Sequence, residues 1–62
     1  DWSRVRPTEE GWYWWRPLHK RFVNMFEVVT WNNGLMVRGE GLRQYMSYYD
    51  DGEWQGPIWP EP

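Results

Sequence analysis

Sixty-two residues with seven tryptophans, no cysteine and a formal net charge of −2 bound the protein to one small domain, folded without disulfides or a thiolate-held metal. No apolar run reaches the length of a membrane span or a signal-peptide core, so no membrane partner is expected. One histidine (His19), two serines (Ser3 and Ser47) and no cysteine leave almost nothing for a nucleophile–base pair, so a non-enzymatic protein without catalytic residues is expected.

Charge is unevenly placed. From Asp1 to Arg21 five basic residues meet three acidic ones, whereas from Phe22 to Pro62 two basic residues meet six acidic ones. The basic front suits phosphate, but the acidic total works against strong nonspecific nucleic-acid binding. The absence of cysteine fits a reducing cytoplasm. The chain opens on Asp1 rather than Met, which leaves room for a longer parent protein.

In chain order, residues 1–8 read as an N-terminal arm interrupted by Pro7, with only Trp2 and Val5 to bury. Glu9-Glu10-Gly11 is a turn leading into an aromatic strand, Trp12–Arg16, closed by Pro17. Alternation sends Trp12 and Trp14 to one face and Tyr13 and Trp15 to the other. A small sheet buries one face well, so some of these rings are expected at the surface. Leu18–Asn24 reads as a basic loop, with Phe22 or Val23 dipping inward. Met25–Trp31 is a second strand. Asn33-Gly34 then predicts a two-residue type I′ hairpin, because both central positions need positive φ. That register sets Trp31 opposite Met36 and gathers Phe26, Val28, Leu35 and Val37 on a core face. Glu27, Val29, Trp31, Met36 and Arg38 share the wetter face. A three-residue turn that also used Asn32 would swap the two faces.

Gly39-Glu40-Gly41 makes a bend. Leu42–Tyr49 satisfies both helical spacing and strand composition. Asp50-Asp51-Gly52 is a turn, and Glu53–Gln55 a short edge strand. Residues 57–62 form a proline-rich tail, expected in polyproline II form and pinned by Trp59. The whole predicts a mainly β domain: a small twisted antiparallel sheet or SH3-like barrel of three to five strands, with room for one short helical turn.

Trp, Tyr and Arg dominate binding hot spots, which makes Tyr13, Trp15, Arg16, Trp31 and Trp54 the candidate anchors. Asp50, Asp51 and Glu53 read as an acidic turn able to steer encounter with a basic surface. Their carboxylates also suit a hard cation, but the turn reading is preferred, and neither metal nor cofactor is expected.

Trp54-Gln55-Gly56-Pro57 resembles the closing motif of a WW domain, although the positions about twenty residues upstream are Asn33 and Gly34 rather than Trp. Asp51-Gly52-Glu53-Trp54 resembles the acidic-turn-to-Trp segment of SH3 domains, which continue with a further strand pair. Gly11-Trp12-Tyr13-Trp14, a central strand ending at Trp31, and Asp51 through Ile58 together resemble a group of small bacteriophage and prophage proteins without an established activity. This last resemblance implies the cytoplasm of a bacterial host and a host protein as partner.

The leading expectation is therefore a phage-related interaction module that docks on an unidentified protein through exposed aromatics. Two alternatives stand beside it. One is single-stranded nucleic-acid binding, with Arg16, Lys20 and Arg21 on phosphates and Tyr13 and Trp15 stacking on bases. The other is a structural homo-oligomer.

Overall fold

A computed structural model of the chain describes residues 1–39 and 41–58. The expected Gly39-Glu40-Gly41 bend lies partly outside the described residues, as does the expected 57–62 tail, of which Pro57 and Ile58 belong instead to the last strand. The described residues form a mainly β domain of five antiparallel strands in one sheet. The strands are β1 (Gly11–Pro17), β2 (Asn24–Trp31), β3 (Gly34–Gly39), β4 (Leu42–Tyr45) and β5 (Gly52–Ile58), and a single 3₁₀ turn spans Met46–Tyr49.

Strands β1 to β4 run as a meander. The chain then crosses under the sheet through the 3₁₀ turn, and β5 returns to the free side of β1, giving the order β4-β3-β2-β1-β5. The acidic-turn-to-Trp segment does not lead into a further strand pair among the described residues, because Trp54 lies within the last strand. The Leu42–Tyr49 ambiguity resolves as half of each reading: four residues of strand, then four of 3₁₀ turn.

The β2–β3 hairpin has the expected turn type one residue early. Asn32 and Asn33, with φ of +52° and +66°, are the two central residues, and Trp31 pairs with Gly34. Asparagine tolerates this left-handed backbone better than other non-glycine residues do. Moving the turn by one residue shifts cross-strand pairing by two positions, so Val28 faces Val37 and Val29 faces Met36. An even shift preserves the faces. The predicted core face and wet face both stand, although Trp31 does not oppose Met36.

Tyr13, Trp15, Val28, Val37, Met46 and Trp54 are buried, with Phe26, Leu35 and Tyr49 packed against them. Tyr49, like Trp15 and Trp54, packs against several rings of this aromatic core. Its ring centroid lies 5.0 Å from Phe26, 5.2 Å from Trp15 and 5.9 Å from Trp54, the last two nearly edge-on. Such pairs add about 0.5–1.5 kcal/mol each beyond the area they bury. The indole N–H of Trp15 donates to the Tyr49 carbonyl at 3.0 Å, and the Tyr13 hydroxyl donates to the Glu9 carbonyl at 2.8 Å. Both buried polar tips are thereby satisfied. Burial pushes the Tyr13 phenol above its ordinary value, with the Glu9 charge adding to the shift.

Gly52 makes this packing possible. A Cβ there would sit 2.5 Å from both the Trp15 ring and the Arg16 carbonyl oxygen. Between Trp12 and Trp14 the pairing with β5 gains one residue, a bulge at Gly56-Pro57 that suits a residue with no N–H to donate.

The arm is tied down more firmly than its composition predicts. Ser3 bridges Trp54 through two backbone hydrogen bonds of 2.8 and 2.7 Å, so the chain's own N-terminus covers the β5 edge. Arg6 reaches Asp50, with its Nε 2.8 Å from Oδ1. Val5, expected to help bury the arm, is exposed. Phe22 and Val23 are exposed as well; neither dips inward, because the loop after Pro17 runs beyond the end of the core.

Candidate functional site

The pleat decides which candidate anchors reach solvent. In β1 it aims Tyr13 and Trp15 at the core, and Trp54 of β5 lies opposite Trp15 on the same inner face. Tyr13, Trp15 and Trp54 are therefore scaffold rather than docking surface. The β1 rings that reach outward are Trp12, half-buried, and Trp14, exposed. The nucleic-acid reading built on Tyr13 and Trp15 loses both of its stacking rings by the same geometry.

The charged candidates are largely spent on one another. Arg16 Nη2 lies 2.9 Å from Glu53 Oε1, and its guanidinium sits 4.1 Å over the Trp2 ring. Asp50 accepts from Arg6, whose hydrogen bond holds the carboxyl below its ordinary range. Asp51 is exposed, and its backbone carbonyl receives the Leu18 N–H at 2.9 Å. Asp50, Asp51 and Glu53 do not act as one free acidic patch, because two of the three carboxylates are paired with arginine. Among the described residues, no group of three or more acidic or histidine side chains is arranged to hold a metal ion, and no helix is long and apolar enough to cross a membrane.

Trp31 alone among the candidate anchors keeps a large exposed ring, at 45%. It stands at the end of β2 on the outer face, opposite Gly34, which has no side chain to lay against it. The guanidinium of Arg43 lies 3.5 Å over the Trp31 centroid. Trp31, Met36 and Tyr45 wall a hollow of about 390 Å³, whose lining Asn32, Gly34 and Leu35 complete. Tyr48 extends this wall, its ring centroid 6.1 Å from that of Tyr45 and nearly perpendicular to it. Among the described residues Arg43 makes no ion pair, whereas the neighbouring Arg38 is 2.8 Å from Glu27. The result is a concave, aromatic, locally cationic surface on the β2–β3–β4 half of the outer face.

Met36, Arg43, Tyr45 and Tyr48 were not among the sequence-level candidates. The signal that could have found them is the register: once the hairpins are set, Tyr45 must stand beside Met36 and Arg43 beside Arg38. Comparison with protein families, with curated proteins and with solved structures returned no match to this chain.

Proposed function

We propose that this protein is a non-enzymatic interaction module that docks a partner protein in the hollow between Trp31, Met36 and Tyr45. The observation that carries the reading is an exposed tryptophan held in place by a stacked arginine at 3.5 Å, beside two further exposed tyrosines. Rigid aromatic rings lose little entropy on binding, and Trp, Tyr and Arg are the residues over-represented among hot spots. Arg43, without a carboxylate partner among the described residues, sets the chemistry of the occupant: an apolar side chain for the hollow, flanked by Asp or Glu for the guanidinium. The resemblance to bacteriophage proteins makes a bacterial cytoplasmic protein the partner to seek.

The test is affinity capture from nuclease-treated bacterial lysate with wild-type, Trp31→Ala and Trp14→Ala baits of verified fold. A protein held by wild type and Trp14→Ala but lost from Trp31→Ala is the expected outcome. Capture that Trp31→Ala leaves undiminished overturns the site. Material released wholly by nuclease moves the function to nucleic acid.

A further inference from the structure

The two edges of the sheet are finished differently. The β5 edge is closed by the Ser3 bridge to Trp54, by a bulge and by Pro57. The β4 edge carries none of these devices. Its sequence, Leu42-Arg43-Gln44-Tyr45, has no proline and no lysine, and among the described residues no strand lies beyond it.

Register settles which backbone groups point outward. In an antiparallel ladder, hydrogen-bonded and non-hydrogen-bonded pairs alternate, and a residue bonded toward one neighbour strand is not bonded toward the other. Trp31 and Gly34 close the β2–β3 hairpin as a bonded pair, so Met36 and Arg38 bond toward β2. Their partners on the other side, Tyr45 and Arg43, are then non-bonded toward β3. The N–H and C=O groups of Arg43 and Tyr45 therefore face out from the β4 edge, while Gln44 bonds inward.

The geometry points to a second copy of this chain as the occupant of that edge, paired antiparallel across a two-fold axis at Gln44. Arg43 of one protomer then exchanges both backbone hydrogen bonds with Tyr45 of the other, and the symmetry repeats the exchange. A two-fold centred on Arg43 instead would oppose two guanidinium groups, which disfavours it. The Gln44 register sets each arginine beside a tyrosine. It also sets Leu42 against the start of the partner's 3₁₀ turn. Leu42 is 62% exposed although it lies on the core side of the sheet, at the rim of a hollow of about 250 Å³. Apolar surface on both faces of one short edge, with Tyr45 and Tyr48 on the other side, is what pairing covers. The dimer would be a continuous sheet presenting two Trp31 hollows on one face.

This inference does not depend on the docking surface above, because self-association is read with no partner present. Sedimentation velocity of the wild-type chain, from micromolar to millimolar, is expected to show a monomer–dimer equilibrium. Arg43→Pro removes an outward N–H without touching the ladder to β3, and is expected to leave a folded monomer. A synthetic chain N-methylated at Arg43 keeps the side chain and is expected to do the same. In the cysteine-free background, Gln44→Cys is expected to form an intermolecular disulfide under mild oxidant at least tenfold faster than Thr30→Cys, which lies on β2, two strands in from the β4 edge. A wild-type monomer at every concentration overturns the inference. So does a dimer that survives N-methylation, or equal cross-linking at the two cysteine positions.

Discussion

Trp15 and Trp31 are chemically identical, and the pleat gives them opposite work. Trp15 is 7% exposed and meets Tyr49, Phe26 and Trp54, so Trp15→Ala is expected to cost about 3–5 kcal/mol. A domain of this size holds roughly 3–9 kcal/mol in all, so thermal denaturation should find the melting temperature of this variant lowered by more than about 10 °C. Trp31→Ala removes an exposed ring and is expected to shift stability by about 1 kcal/mol or less in the same experiment. Near-normal stability of Trp15→Ala would contradict the core described here. Gly52 supplies an independent check on the packing. Gly52→Ala drives a methyl into the Trp15 indole and is expected to cost about 1–3 kcal/mol in urea titration, with no change in any exposed residue. At this scale the sequence shows that Tyr13 and Trp15 share a face, but not which face is inner. Tryptophan and tyrosine serve a core or a surface equally well. The inner face is fixed by Val28, Val37 and Trp54 on other strands, and so by pairing across the sheet rather than by the residues of β1.

The β2–β3 hairpin was legible, to within one residue, because turn chemistry is local. The Asn32-Asn33 turn keeps the expected type I′ geometry and, through the even shift in register, the expected faces. Asn-Gly is the favoured central pair for such a turn. Asn33→Gly creates that pair at the two positive-φ positions and is expected to stabilise the hairpin by about 0.5–1 kcal/mol. Asn33→Ala should lose about 1 kcal/mol at the same position, because alanine lacks asparagine's tolerance of positive φ. Urea titration of the three proteins checks the order, and a destabilised Asn33→Gly would refute the turn. The Leu42–Tyr49 segment was not legible for an equally physical reason. Four residues of period two followed by four of period three leave no window long enough for either signal to dominate. That segment carries Arg43, Tyr45 and Tyr48, so most of the candidate surface stayed hidden with it. The strand-like bridge of the arm has no side-chain signature either, since Ser3 contributes its backbone rather than its hydroxyl to the pairing with Trp54.

Across the whole molecule, charge acts mainly to fasten distant segments. Arg6 binds Asp50 from the arm to the turn before β5, and Arg16 binds Glu53 from β1 to β5. The Glu10 carboxylate accepts the Thr30 backbone N–H at 2.7 Å, capping the far end of β2. Hydrogen bonds to the charged form lower the pKa of Glu10 and Asp50 below their ordinary values, the first through Thr30 and the second through Arg6. A carboxylate with a lower pKa in the folded state than in the unfolded state binds its proton less readily when folded. Its contribution to stability is complete above the unfolded pKa, near 4, and disappears as pH falls through the folded pKa. At the alkaline end the sign reverses. Burial raises the Tyr13 and Tyr49 phenols, so their contribution holds below the unfolded value near 10 and is lost as pH rises through the folded one. Melting temperature is therefore expected to form a plateau through neutral pH and to fall on both sides. Arg6→Ala isolates one component. It leaves Glu10 and both tyrosines untouched but frees Asp50, so the acid limb should become shallower while the alkaline limb keeps its shape. High salt should weaken the wild-type acid limb in the same direction, because Arg6 and Asp50 are exposed and screened. Superimposable acid limbs for wild type and Arg6→Ala, measured by circular dichroism from neutral pH down to about pH 2, would mean that the Arg6–Asp50 pair does not hold the arm to the domain in solution.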